Sequence, residues 1–270
     1  MAATTSIIGP VTLITREPRR LAEFYQKSFG IGEDRTDLLT LENQPDAIEL
    51  GRTRTTGLFH MAILLPSRKD LAGLLKHFID TRVPIHGASD HGVSEAIYLA
   101  DPDGNGIEVY CDRPRDKWVY KHGQIQMGTL PLDLEDLLAE ADHEKAPWTG
   151  IAAGTIMGHV HLRVADLAPA EAFYRDVIGM QITTRYGSEA TFLSFHGYHH
   201  HLGLNTWQSK GAPPPPVGAT GLKNFVLNLP GDRALDRVKS IAGSKDIPFE
   251  TLAEGIFLRD PSGNGVIVRG

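Results

Sequence analysis

One pattern recurs four times along the 270 residues: an apolar run of strand length, a run with helical spacing, then further strand-like runs. Unit one opens with Ile8-Gly-Pro-Val-Thr-Leu-Ile-Thr15 and continues into Arg19-Arg-Leu-Ala-Glu-Phe-Tyr-Gln-Lys-Ser-Phe-Gly30, where glycine stops the helix. Unit three repeats that order, from Gly158–Val164 into Ala168-Pro-Ala-Glu-Ala-Phe-Tyr-Arg-Asp-Val-Ile-Gly179. Phe24-Tyr25 and Phe173-Tyr174 fall at equivalent helix positions, and their apolar spacing is a packing signal. Units two and four open at Leu58–Leu65 and Leu222–Leu229 and continue into helical patterns over Lys69–Thr81 and Arg233–Ala242. Both end in a turn before a strand, Asp101-Pro-Asp-Gly-Asn-Gly-Ile107 and Asp260-Pro-Ser-Gly-Asn-Gly-Val266, whose proline and glycines suit a tight reversal. The glycine and acid spacing there is that of neither a dinucleotide loop nor an EF-hand. No such unit buries its apolar face alone, so the four must stack their sheets.

The boundaries that follow are 1–55, 56–112, 156–212 and 213–270, with a linker over 113–155. In that linker Leu132–Ala141 reads as an amphipathic helix with Leu134, Leu137, Leu138 and Ala141 on its apolar side. The Pro213–Pro216 run reads as a stiff connector.

Composition narrows the function classes. With 27 basic against 33 acidic residues the net charge is -6, and no basic tract interleaved with aromatics suggests a nucleic-acid surface. A small neutral or aromatic ligand is the more natural partner. The single cysteine, Cys111, rules out an intrachain disulfide and a cysteine zinc cluster, and it reads as structural. Met1–Ser6 has neither the basic nor the apolar region of a signal peptide, and no run of about 18 apolar residues suggests a membrane span, so a cytoplasmic location is expected. Of the twelve histidines, His77, His86, His122 and His143 read as scattered surface residues.

The remaining histidines cluster at the repeats. Gly57-Leu-Phe-His60 opens unit two, Gly158-His159-Val-His161 opens unit three, and Tyr198-His199-His200-His201-Leu202 lies later in unit three. Glu108 follows the first Asp-Pro turn, between Ile107 and Val109, and an inward carboxylate there is costly unless paired or metal-bound. Two histidines and one carboxylate supply one face of a non-haem Fe(II) centre, leaving positions open for substrate and oxygen. Strand alternation places His159 with His161 on one face, and His199 with His201 on another.

Taken together, the Asp-Pro-Asp-Gly-Asn-Gly-Ile-Glu turn, the histidine-bearing strand starts and the His-His-x-Leu run resemble the vicinal oxygen chelate superfamily over nearly the whole chain. Within it, they are most similar to bacterial catechol 2,3-dioxygenase-like extradiol enzymes. The resemblance implies an α+β fold of four βαβββ modules forming two paired-module domains, with metal held in a curved sheet. It implies His60, His159 and Glu108 as metal ligands, His161 being pocket-lining or an alternate ligand. It further implies His201 as acid–base residue, with His199 and His200 in the substrate pocket. Tyr98 would hydrogen-bond the substrate, and His91 would orient or protonate it. Fe(II) or Mn(II) would be the metal, O2 the co-substrate, and catechol, a substituted catechol or a hydroquinone the substrate. A homodimer is considered as the assembly.

The chain departs from the family's usual pairing of units one with two and three with four. The first pair would offer His60 and Glu108 but Pro10 and Thr12 where a histidine belongs; the second would offer His159 but Asn224 and Ile267. Pairing units two and three instead gathers His60, Glu108 and His159, so that pairing is expected to carry the metal, leaving units one and four metal-free. The alternative activities are a glyoxalase I-like lyase or isomerase, which would need a fourth protein ligand and could take Zn(II), Ni(II) or Mn(II), and a non-catalytic protein that binds an aromatic ligand.

Overall fold

The computed structural model describes residues 6–51, 53–141, 148–231 and 233–270. His143 therefore lies outside the described residues. Unit one forms β1 (Ile8–Thr15), α1 (Pro18–Phe29) and β2 (Leu39–Asn43). Unit two forms β3 (Gly57–Leu64), α2 (Arg68–Thr81), β4 (Gly87–Asp90), β5 (Ser94–Ala100) and β6 (Gly106–Asp112). The linker carries three two-residue strands, β7 (Tyr120–Lys121), β8 (Gln124–Ile125) and β9 (Leu130–Pro131), followed by α3 (Leu134–Ala139). Unit three forms β10 (Ile156–Arg163), α4 (Leu167–Ala172) continuing as a wider π turn over Phe173–Ile178, then β11 (Gln181–Tyr186), β12 (Ala190–Ser194) and β13 (Leu202–Asn205). Unit four forms β14 (Gly221–Asn228), α5 (Ala234–Ser244), β15 (Phe249–Leu252), β16 (Gly255–Arg259) and β17 (Gly265–Arg269). No helix among the described residues is long and apolar enough to cross a membrane.

Two large sheets result. The larger runs β11-β12-β13-β10-β3-β6-β5-β4-β9 and is joined at its middle by antiparallel β3 and β10, so it draws on units two and three. The smaller runs β15-β16-β17-β14-β1-β2 and joins units one and four through β1 and β14. Alternation decides which side chains face the core. On β3 and β6, Met61, Ile63, Ile107, Val109 and Cys111 enter an apolar cluster that also takes Val11, Leu13, Phe225 and Leu227 from the smaller sheet. The opposite faces of β3, β6 and β10 are left for polar work.

Unit one is shorter than the repeat suggests. After β2 the chain passes Gln44-Pro45-Asp46 and makes a single bridge, Ile48 to Ala219. Residues 50–56 hold one large apolar side chain, Leu50, so no further strand has a face to bury. In the linker, α3 buries Leu137 completely and packs Leu134 and Leu138 on the core. Arg68 ties it to unit two, binding Asp136 (2.8 Å) and Glu140 of the linker together with buried Glu95 (2.6 Å). His86 and His122 are exposed, but His77 is half-buried: it stacks on Trp148 with ring centroids 3.7 Å apart and bonds the Lys27 carbonyl.

The repeated Phe-Tyr pair and the repeated Asp-Pro turn explain one another. The Tyr25 hydroxyl donates to Asp101 (2.9 Å), and the Tyr174 hydroxyl donates to Asp260 (3.2 Å). Each aspartate also accepts backbone N–H groups inside its turn, from Asp103 and Asn105 or from Ser262 and Asn264, and the amide of that asparagine. Gly104 and Gly263 take φ 85°, a conformation that favours glycine. Thus the helix of unit one is fastened to the turn of unit two, and that of unit three to unit four, although the sheets join the units otherwise. Replacing Asp101 with alanine orphans three buried donors and one partly buried one, so urea unfolding should show a loss of about 2–3 kcal/mol, with Tyr25→Phe costing less and adding little in the double variant.

Candidate metal centre

The centre of the larger sheet brings three donors together. Ala62 on β3 lies opposite Glu108 on the parallel neighbour β6 and opposite His159 on the antiparallel neighbour β10. His60, two residues before Ala62, shares its face. The methyl group of Ala62 is what leaves room between the flanking carboxylate and imidazole. His60 Nε2 stands 3.0 Å and His159 Nε2 3.3 Å from Glu108 Oε2, and the two Nε2 atoms are 3.3 Å apart. For donors about 2.1 Å from one ion, neighbours in an octahedral or tetrahedral set stand roughly 3.0–3.4 Å apart. The three separations fit that range.

All three residues are buried: His60 is 7%, Glu108 3% and His159 1% exposed. Burial alone would raise the Glu108 carboxyl, but His159 and His60 outweigh it and hold the group well below the usual carboxylate range. Burial pushes His159 down to about 4, against the pull of Glu108, so its ring is neutral. An ionised carboxylate beside a neutral imidazole is the protonation state a divalent cation requires. His60, Glu108 and His159 together can coordinate such an ion, and among the described residues they form the one group of metal-capable donors.

A cavity of about 330 Å³ opens on two members of the triad, His60 and Glu108. Phe59, Val93, Met127, Phe192 and Trp207 also line it, and among the described residues no lysine or arginine does. Tyr98 lies on β5 directly opposite Glu108. Burial, then the Glu108 charge, hold its hydroxyl well above the ordinary tyrosine range, so it remains a phenol. His91 Nδ1–H donates to the Gly128 carbonyl (2.6 Å), and its Nε2 lies 2.6 Å from the Tyr98 hydroxyl, which also hydrogen-bonds Glu108. His161 lines the cavity with its ring against His60 and Phe59 but stays outside the donor group, and its Nε2 has no hydrogen-bond partner among the described residues. Gly158 is required by packing, since a Cβ there would overlap the Tyr110 hydroxyl.

The His199–His201 run differs from expectation by one residue. His200, not His201, lines the cavity, with its ring 4.1 Å from that of His159. His201 turns into a separate recess with Phe195, His196 and Arg115, and its Nδ1 accepts the Phe195 N–H. His199 points back from the cavity, to Asp112. Strand alternation failed here because β13 begins only at Leu202, and the chain from Phe195 to His201 is an irregular bend. The His-His-x-Leu pattern read over His199–Leu202 would have placed its second histidine correctly. Asp112 was missed as a polar partner, although Glu108, Tyr110 and Asp112 alternate along β6. Cys111 faces the core, its thiol pushed up to about 12 by burial and so unreactive.

A family model described as the glyoxalase/bleomycin resistance protein/dioxygenase superfamily matches residues 7–109 and 156–268. The chain is 41% identical over 269 residues to the catechol-2,3-dioxygenase of Bacillus subtilis (strain 168), covering 94% of this chain and 93% of that protein. Over 77 residues it is 36% identical to a biphenyl-2,3-diol 1,2-dioxygenase 3 of Rhodococcus globerulus, a match covering 26% of this chain and 38% of the other. Among solved structures, glyoxalase I from Zea mays shares the fold at a TM-score of 0.56 and 15% identity, covering 96% of this chain and 90% of that one.

After loading with a divalent ion and desalting, the wild type should retain about one ion per chain, and His60→Ala, His159→Ala and Glu108→Gln less than about a tenth of that. Ala62→Leu should lose the ion by filling the space between Glu108 and His159, whereas Asn224→Ala, on the smaller sheet, should retain it by elemental analysis.

Proposed function

The chain belongs to the glyoxalase/bleomycin resistance protein/dioxygenase superfamily, and from that premise we propose that it is an extradiol ring-cleaving dioxygenase acting on catechol or a related dihydroxybenzene. The observation that carries this reading is a three-donor triad under a cavity with no cationic lining, with Tyr98 and His200 beside it. A glyoxalase-like lyase would need a fourth protein ligand, and neither His161 nor His200 joins the donor group. The likeness to the maize enzyme concerns the fold alone.

His60, His159 and Glu108 would hold Fe(II) or Mn(II), which supplies a meeting point for the two diol oxygens and dioxygen. The protein's own groups handle protons and orientation. Tyr98 can accept a diol hydroxyl proton while passing its own to His91 Nε2. The resulting imidazolium is stabilised by Tyr98 on one side and the Gly128 carbonyl on the other. Because the Tyr98 hydroxyl is held above its ordinary range, the residue serves as a conduit rather than a resting phenolate. On the other wall His200 takes the acid–base role that the sequence assigned to His201. Phe59, Phe192 and Trp207 exclude water and flank a flat ring.

Protein purified without oxygen and supplied with Fe(II) or Mn(II) should consume O2 in proportion to added catechol and form a yellow muconic semialdehyde. Zinc or nickel in the protein with no oxygen uptake would overturn the reading in favour of lyase chemistry. His200→Ala should lower kcat by about 10²–10⁴-fold with metal retained, and His201→Ala by less than about 3-fold.

A further inference from the structure

We propose that Asp112, acting through His199, is a positioning residue that fixes the ring tautomer of His200 and so presents the His200 Nε2 lone pair to the cavity. Three contacts carry the inference. His199 Nε2 lies 2.9 Å from Asp112 Oδ1, His199 Nδ1 lies 2.8 Å from His200 Nδ1, and the ring of His200 lines the cavity beside His159.

With both rings taken as neutral, one assignment of protons satisfies these contacts. A carboxylate only accepts, so His199 Nε2 carries its hydrogen. His199 Nδ1 is then a lone pair, and His200 Nδ1 must carry the hydrogen between the two rings. That leaves His200 Nε2 unprotonated. The reversed tautomer would put an N–H toward the diol and make His200 a donor where the reaction needs an acceptor.

The surroundings hold this chain of bonds in place. His199 is fully buried, so water cannot replace either partner. The Tyr198 hydroxyl also donates to Asp112 Oδ1 (3.0 Å), so the Tyr110 hydroxyl must donate to Tyr198 (2.8 Å). Both tyrosines therefore orient Asp112 without competing for His199. One face of β6 thus carries the ligand Glu108, the orienting Tyr110 and the positioning Asp112 in succession.

The tautomer part stands on these contacts together with neutral rings, whereas its catalytic consequence rests on the dioxygenase reading. The test is histidine ¹⁵N spectroscopy on the full chain loaded with Zn(II) as a diamagnetic stand-in, with His200 assigned by comparison with His200→Gln. Wild type should show a pyridine-type Nε2 and a pyrrole-type Nδ1 at His200. Asp112→Ala should populate the opposite tautomer, whereas Asp112→Asn should keep the wild-type pattern because its amide oxygen still accepts from His199. A wild-type Nε2–H at His200, or an unchanged pattern in Asp112→Ala, would overturn the proposal. With catechol, Asp112→Ala should lose about 10–100-fold in kcat with KM changed less than about two-fold, and Asp112→Asn should recover most of the loss. A tautomer shift in a protein that never cleaves catechol would leave the positioning role standing and remove the dioxygenase reading. Cleavage by wild type with an unaltered Asp112→Ala spectrum would do the reverse.

Discussion

The antiparallel ladder between β3 and β10 is the interaction on which the site depends. It sets His159 opposite Ala62, while the parallel ladder between β3 and β6 sets Glu108 opposite the same residue. Because side chains alternate along a strand, a slip of one residue in either ladder would turn a donor from the cavity side into the core. The apolar residues that alternate with the donors, among them Met61, Ile107, Val109 and Val160, resist such a slip, since it would expose them. Core packing and donor convergence are therefore one constraint.

A buried carboxylate and several buried imidazoles in one region carry a desolvation cost that the surrounding structure has to meet. It does so by sorting charge. Glu108 stays ionised because His60 and His159 hydrogen-bond it, and burial keeps His159, His161 and His200 neutral. Asp112 is placed where Tyr198 and His199 both donate to it, at the far end of the same strand. Glu108 lines the cavity, and Asp112 is held behind His199, outside it.

Long-range fastening is equally economical. The Tyr25–Asp101 and Tyr174–Asp260 bonds tie helices to turns within the first and second halves of the chain, while the two sheets tie the inner and the outer units. Each unit is thereby held by two different partners. Unit one, lacking apolar residues for more strands, contributes its helix and two strands to this cross-bracing, and no donor to the metal centre.

The residues alone carried what depends on near neighbours in the chain. Alternation put His159 with His161, and Tyr110 with Glu108, on shared strand faces; the repeated turns and helices marked four units; and the missing histidines at Thr12 and Asn224 directed attention to His60, Glu108 and His159. What the tertiary structure decided were contacts between residues far apart in sequence and the course of irregular backbone. The bend from Phe195 to His201 follows no periodicity, so only the folded chain shows that His200 faces the cavity and His201 does not. The bonds from Asp112 to His199 and from Tyr25 to Asp101 join residues more than seventy positions apart, and no local spacing encodes them. Local pattern sets the face a side chain occupies; its partner is set by which strands and bends the core brings together.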